Sequence, residues 1–177
     1  MKLIYIFIFI FTFIFNFNLF AQNISIVNIQ FLIDNNQYYI EILKKIEDNQ
    51  KLYLKDFENK ENVLKKSLDK IEDSKLILNQ NEINLQIDSY NNELAEYKNL
   101  VEEFNSHYQY QIIQIREIVL AEIIVLLEQY ASENNVDLIL DSTSYLIASN
   151  SLDITEIINN KLSKINLKLE FDNFEKN

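Results

Sequence analysis

Residues 83–118, INLQIDSYNNELAEYKNLVEEFNSHYQYQIIQIREI, carry the strongest periodic pattern in the chain. Apolar side chains recur there at alternating intervals of four and three residues, and only Gln111 is polar. The series is Ile83, Ile87, Tyr90, Leu94, Tyr97, Val101, Phe104, Tyr108, Gln111, Ile115 and Ile118. This spacing predicts the a/d seam of a left-handed coiled coil over about five heptads. We interpret its many Tyr and Phe rings as packing within the helical pair.

A weaker copy of the pattern precedes this seam. Its positions are Leu43, Ile46, Gln50, Tyr53, Phe57, Lys60, Leu64, Ser67 and Ile71. Between the two patterns, Asn79 can cap a helix and Glu82 can complete a capping box. We therefore predict a helical-hairpin arm over residues 36–132, with antiparallel helices at 36–78 and 82–132 and a turn near 79–82. The alternative is one continuous helix through 79–82.

The composition narrows the range of functions. The 177 residues include no Gly, Pro, Cys or Trp and a single His, His107. Because tight turns depend on Gly and Pro, the chain favours long helices with few connections, and Asn takes over turns and caps. The lack of Cys excludes disulfides and thiolate metal sites, and we interpret His107 as a solvated helix residue. No catalytic triad order, phosphate loop or zinc motif occurs, so we expect no enzyme activity, cofactor or metal.

The N-terminus has the layout of a secretory signal peptide. Lys2 precedes an apolar run from Leu3 to Phe15, and a small residue, Ala21, follows the polar end of the run. We expect residues 1–21 to be cleaved after Ala21 and the mature chain to reside in the periplasm. An uncleaved membrane anchor is the alternative. Loss of Lys2 changes the net charge from -11 to -12, which argues against nucleic acid and anionic membrane surfaces as partners.

The two ends of the mature chain predict a small β-containing body made of residues 22–35 and 133–164. Residues 23–27 and 136–140 are expected to form strands, 145–148 a third strand, and Asp153 to cap a last helix. Three short strands and one helix make a marginal core with open edges, so we expect the body to self-associate. The candidate oligomerisation residues are Ile24, Ile26, Val136, Leu138, Leu140, Tyr145 and Ile147. Asp137 and Asp141, which bracket the second strand, are interpreted as turn and edge residues and not as a catalytic pair.

These ends carry a resemblance to a known family. The motifs are Ile-Val-Asn at residues 26–28, Val-Asp-Leu-Ile-Leu-Asp at 136–141, Tyr145, and Asp-Ile-Thr-Glu-Ile-Ile at 153–158. Together with the charged helical hairpin predicted over residues 36–132, they make residues 22–164 similar to the Skp (OmpH-like) family of periplasmic outer-membrane-protein chaperones. The arm itself matches the family only in its length and its coiled-coil type of sequence.

The resemblance implies a mostly α fold with a small β body, assembled as a jellyfish-like homotrimer whose arms surround a cavity. It also implies an ATP-independent holdase that binds unfolded outer-membrane proteins in that cavity. Familiar members of the family are basic, so the acidic charge of this chain puts lipopolysaccharide binding in doubt. The resemblance assigns no client-binding residues here.

Two points stay open at the level of sequence. Residues 165–177 extend past the family's usual end, and the alternation of Ile165, Leu167, Leu169 and Phe171 fits either an added strand or a disordered tail. The second candidate function is a membrane-tethered structural coiled-coil protein that spaces or links layers of the cell envelope.

Overall fold

The computed structural model describes residues 22–175, and the predicted signal peptide, residues 1–21, lies outside them together with the expected cleavage after Ala21. A short strand opens this part of the chain, and two long helices follow before a second strand and a final short helix. The elements are β1 (Ile24–Val27), α1 (Ile29–Asp34), α2 (Gln37–Ser74), α3 (Gln80–Asn134), β2 (Leu138–Asp141) and α4 (Thr155–Leu162), with 3-10 turns at Ser142–Ser144 and Asn150–Leu152. The mostly helical hairpin with a small strand region confirms the predicted mostly α fold of the single chain.

The two ends of the chain meet in a parallel strand pair. Ile26 of β1 is opposite Leu140 of β2, and on the other side of β1 the carbonyl oxygen of Ile26 accepts a 2.9 Å hydrogen bond from the N–H of Ile154. Parallel strands cannot be joined by a tight turn, so the whole arm serves as the crossover between them. Ser25, Ile26 and Val27 are buried, which is typical of a parallel strand covered on both faces.

The arm is a hairpin of unequal helices. The 38 residues of α2 span about 57 Å and the 55 residues of α3 about 83 Å, at 1.5 Å per residue. The predicted capping box is present, because the Asn79 side chain accepts from the N–H of Glu82 and the Glu82 carboxylate accepts from the N–H of Asn79. The helix predicted to end at residue 78 ends at Ser74, because Ser74 starts a tight turn whose carbonyl accepts from the N–H groups of Ile77 and Leu78.

The predicted seam is confirmed through Ile115 and wrong at Ile118. Every predicted seam position on α2, and those on α3 from Ile83 to Ile115, are buried or half-buried. Ile118 is 47% exposed, however, and the adjacent Val119 is fully buried. Burial there follows four-residue steps through Ile115, Val119 and Ile123. Such steps lengthen the apolar period beyond 3.5 residues and rotate the buried face, here toward α1 and α4, which both contact α3.

The predicted third strand, residues 145–148, is absent, so no hairpin forms between it and the strand predicted at 136–140. Val136 precedes β2, and residues 145–148 form no strand. A hairpin closed by a two-residue turn needs turn residues that accept a positive φ, such as Asn or Gly. The connecting Ser142-Thr143-Ser144 forms a 3-10 turn instead, capped by the Asp141 side chain.

The core of the body comes mainly from short helices. Leu32 and Ile33 of α1, and Ile158 and Leu162 of α4, have no exposed surface. Helix α1 was not predicted, although Asn28 and Asn36 cap α1 and α2 through their side chains.

The predicted last helix is present with two differences. Asp153 lies one position before the N-cap, and its carboxylate accepts a 2.8 Å hydrogen bond from the N–H of Thr155. The spacing of Ile154, Ile157, Ile158 and Leu162 predicts one buried face for this helix, but Ile157 is 45% exposed. Among residues 22–175, no helix combines the length and apolar character needed to cross a membrane.

Candidate assembly and binding surfaces

The structure brings together four of the seven candidate oligomerisation residues. Ile24 is opposite Leu138 and Ile26 is opposite Leu140 across the strand pair. Val136 is half-buried just before β2, and Tyr145 is half-buried beyond it. Ile147 is 93% exposed and its neighbour Leu146 is fully exposed. Val27, which was not among the candidates, is buried in β1.

The outer edge of the sheet is open within one chain. In the described part of the chain, β1 is the sole strand that pairs with β2, so one row of β2 backbone groups has no strand partner. The exposed apolar residues of this region are Leu138, Leu146, Ile147 and Leu152. An open strand edge beside exposed apolar side chains is the usual signature of a surface that another chain covers.

Asp141 fixes the junction between the strands and α1. Its carboxylate accepts hydrogen bonds from the N–H of Ile29 at 3.1 Å, the N–H of Thr143 at 3.2 Å and the Thr143 hydroxyl at 2.5 Å. Partial burial opposes ionisation, but the hydrogen bonds from the Thr143 hydroxyl and from the N–H groups of Ile29, Thr143 and Ser142 outweigh it and lower the pKa of Asp141.

Asp137 has a related role at the other end of β2. Its carboxylate accepts a 2.9 Å hydrogen bond from the N–H of Asn23. The bonds of Asp137 and Asp141 therefore tie the two ends of the chain together, in agreement with their interpretation as turn and edge residues.

An aromatic cluster lies near the middle of the arm. Tyr53 and Phe57 of α2 contact Phe104 of α3, with ring centroids 5.4 and 4.9 Å apart. Phe104 also contacts Tyr108, at 5.0 Å. Most of these pairs are edge-to-face, which is the favourable arrangement for aromatic rings. The interpretation of the seam aromatics as arm packing therefore agrees with the structure.

The C-terminal segment, residues 165–175, lies against this cluster. It is an extended segment without strand partners, and its Leu167 and Phe174 are buried. The carbonyl oxygen of Phe174 accepts a hydrogen bond from the Tyr53 hydroxyl, and the N–H of Phe174 donates to the Tyr108 hydroxyl at 3.3 Å. The segment is therefore neither the added strand nor the disordered tail considered from the sequence, because residues 165–175 form no strand and pack against the arm.

His107 belongs to the same contact. Its Nε2 donates to the carbonyl oxygen of Asp172 at 2.8 Å, and its ring is 5.7 Å from that of Phe174. The interpretation of His107 as a merely solvated residue is therefore wrong. The alternating apolar pattern from Ile165 onward indicates that the tail has an apolar face. It does not indicate that this face packs against the arm near His107.

Two Tyr hydroxyls on α3 have raised pKa values. Burial, with added effects of a 2.5 Å hydrogen bond to the Glu61 carboxylate and of its charge, raises the pKa of Tyr97 to about 12. Burial also raises the pKa of Tyr108, although the hydrogen bond from the Phe174 N–H opposes the shift. Both hydroxyls stay protonated and serve as hydrogen-bonding groups, not as acid-base catalysts at neutral pH.

A cavity of 570 Å³ opens between α2 and α3 further toward the arm tip. Its lining includes Val63, Leu64, Tyr97 and Leu100 together with the carboxylates of three Glu residues. The lining therefore combines apolar side chains with acidic ones. Among residues 22–175 there is no group of three His, Asp or Glu side chains able to hold a metal ion.

A long antiparallel helical arm, rooted in a small body whose parallel strands come from the two ends of the chain, defines a class of helical-arm proteins. The model of the outer membrane protein (OmpH-like) family matches residues 23–162, and the chain belongs to that family.

The fold is shared with a solved structure. The crystal structure of the OmpH-like protein from Caulobacter crescentus CB15, for which a role as an outer membrane chaperone has been suggested, superimposes with a TM-score of 0.69 at 12% identity. The match covers 88% of this chain and 92% of that one. No curated protein matches the sequence significantly.

Proposed function

We propose that the mature chain is an ATP-independent holdase chaperone of the periplasm, which acts as a homotrimer and binds unfolded outer-membrane β-barrel proteins between its arms. The observation that carries the proposal is membership of the OmpH-like family over residues 23–162, on a chain with a long arm and an uncovered strand edge. Weak apolar contacts distributed along the arms suit many different clients. Enclosure of a client keeps its unpaired strands from joining another chain.

The test is protection of an unfolded client. A urea-denatured outer-membrane β-barrel protein is diluted into buffer with or without residues 22–177, and light scattering follows its aggregation. We expect suppression at a ratio near one trimer per client, without ATP. Undiminished aggregation at a large excess of the chain would contradict the proposal.

The trimer is tested separately by substitutions at exposed leucines. Leu146 is fully exposed in the body, five positions after the end of β2, and Leu76 is 92% exposed at the arm tip. If the body is the interface, Leu146→Asp should reduce the mass measured by light scattering to that of a monomer, because a buried charge opposes association. The control Leu76→Asp should keep the trimer mass. A wild-type monomer at micromolar concentration would exclude the trimer.

Electrostatic attraction contributes little to the proposed binding of clients. The mature chain has a net charge of -12, and salt screens exposed charges beyond about 8 Å at physiological ionic strength. We therefore expect protection of clients to persist when salt is raised, and no saturable binding of lipopolysaccharide.

Mass spectrometry of the exported protein separates the two candidate functions. A mature chain that begins at Gln22 supports the periplasmic chaperone. A full-length, membrane-bound chain that gives no protection would instead support the structural coiled-coil protein.

A further inference from the structure

The tail begins where the family match has ended. Helix α4 ends at Leu162, the chain turns through hydrogen bonds from Lys164 and Ile165 to carbonyls of α4, and residues 165–175 then run along the arm. Leu167 and Leu169 border a cavity with Tyr38 and Ile42 near the start of α2. Phe174 reaches Tyr53, eleven positions further along α2 than Ile42.

The polar contacts of the tail's end are made with its main chain. The hydroxyls of Tyr53 and Tyr108 and Nε2 of His107 bond the carbonyl of Phe174, its N–H and the carbonyl of Asp172. Every polypeptide offers these groups. Recognition of this kind therefore selects an extended conformation and not a particular sequence.

The side-chain contact is made by one ring. Phe174 is 8% exposed, and its ring centroid is 5.8 Å from that of Tyr53, 5.3 Å from that of Phe104 and 5.7 Å from that of His107. All three contacts are edge-to-face, a geometry that any aromatic ring can adopt. We call the four residues that contact this end of the tail, Tyr53, Phe104, His107 and Tyr108, the aromatic groove.

The tail does not need this contact to complete the arm seam. Phe57 and Phe104 contact each other directly, and Tyr108 bonds the Asn49 side chain across the two helices. The tail lies on top of these contacts as an added layer. Its attachment to the same chain gives it a high effective concentration, which lets a weak interaction keep the groove occupied.

From this geometry we propose that the aromatic groove binds extended, aromatic-bearing segments of unfolded polypeptides, and that the chain's own residues 165–175 occupy it until a client displaces them. The inference rests on the proposed chaperone function and assigns a client site to it. The tail covers a surface that would otherwise bind other polypeptides. A client segment must bind the aromatic groove more strongly than the tail does in order to displace it.

The first test measures occupancy with a peptide. A fluorescent peptide of residues 165–177 is titrated against full-length mature chains, and anisotropy reports binding. Phe174→Ala in the protein should strengthen peptide binding about tenfold, because it raises the fraction of chains with an open groove. The control Asn173→Ala removes an exposed neighbour and should match the wild type. A peptide with Ala in place of its Phe174 equivalent should bind neither chain.

The second test locks the tail in place. Glu103 and Asn173 are exposed and border the same 790 Å³ cavity, and the chain has no Cys of its own. In Glu103→Cys/Asn173→Cys, a cleavable bismaleimide should reduce protection of an unfolded outer-membrane protein several-fold, and cleavage of the linker should restore it. Each single-Cys variant treated with the reagent is the control.

The outcomes separate the inference from the function on which it rests. If clients are protected equally by locked and unlocked chains, and do not compete with the peptide, the groove is not their site and the inference is overturned while the chaperone stands. If Phe174→Ala binds the peptide but no variant protects any client, the chaperone function fails, and the client role of the groove fails with it.

Discussion

Tyr108 and Phe174, 66 positions apart in the chain, are joined by a 3.3 Å hydrogen bond from the N–H of Phe174 to the Tyr108 hydroxyl. The same hydroxyl donates to the Asn49 side chain on α2. One phenol group thus connects both arm helices and the tail.

Tyr108→Phe should lower the free energy of unfolding by about 1 kcal/mol or somewhat more, since it leaves the buried Phe174 N–H and the Asn49 carbonyl without this partner. Urea unfolding followed by circular dichroism measures the change. Tyr110→Phe is the control, because Tyr110 is on the same helix and exposed, and we expect less than about 0.5 kcal/mol there. Equal effects at the two positions would refute the bridging role.

Ile157 and Ile158 are adjacent isoleucines of α4, but Ile158 is fully buried and Ile157 is 45% exposed. Ile158→Ala should cost about 2–5 kcal/mol through lost burial and a cavity between α1, α3 and α4. Ile157→Ala should cost under about 1 kcal/mol. Thermal unfolding of both variants checks this, and a larger effect at Ile157 in the assembled protein would show that another subunit covers it.

Val119 and Ile118 test the change of seam register. Val119→Ala should lower the free energy of unfolding by about 2 kcal/mol, because Val119 is fully buried. Ile118→Ala removes more atoms from a half-exposed side chain and should still cost less. The reverse order in urea unfolding would mean that the strict heptad seam continues through Ile118.

The lowered pKa of Asp141 predicts how the free energy of unfolding depends on pH. Its pKa is lower in the folded chain than its ordinary value of 3.8, so its ionised form stabilises the fold above that value and the contribution is lost as pH falls through the folded pKa. Asp141→Asn should therefore cost about 1 kcal/mol near neutral pH, and the difference from the wild type should shrink below about pH 4.

Unfolding in urea at several pH values measures this difference. Asp69→Asn, on the exposed face of α2, is the control and should change stability by less than about 0.5 kcal/mol. A difference for Asp141→Asn that is independent of pH down to pH 3 would count against the assigned role of the carboxylate.

The helical hairpin could be predicted because its determinants are local. The alternation of three- and four-residue steps from Ile83 to Ile115 marks one face of a helix, and Asn79 with Glu82 marks a helix start, without reference to any other part of the chain. The meeting of the two ends was also predictable, since the predicted strand at 23–27 had no possible partner other than the predicted strands between 136 and 148.

The errors fall where a distant contact overrides a local pattern. Tyr145 to Ala148 has the composition of a strand, but the preceding Ser-Thr-Ser segment forms a 3-10 turn capped by the Asp141 side chain. Leu146 and Ile147 are consequently exposed and pair with no strand. Ile118 follows the heptad rule, yet α1 and α4 cover the neighbouring face of α3 and bury Val119 instead.

The sequence by itself determined that the chain forms a long two-helix arm on a small body, because the spacing of apolar side chains and the helix caps act within a few residues. Only the tertiary structure decided that the strands are parallel, that the seam rotates near the body and that the tail covers the aromatic groove. Those features depend on contacts between residues that are far apart in the chain, such as Tyr108 and Phe174. A local pattern indicates that a face is apolar but does not identify the surface that packs against it.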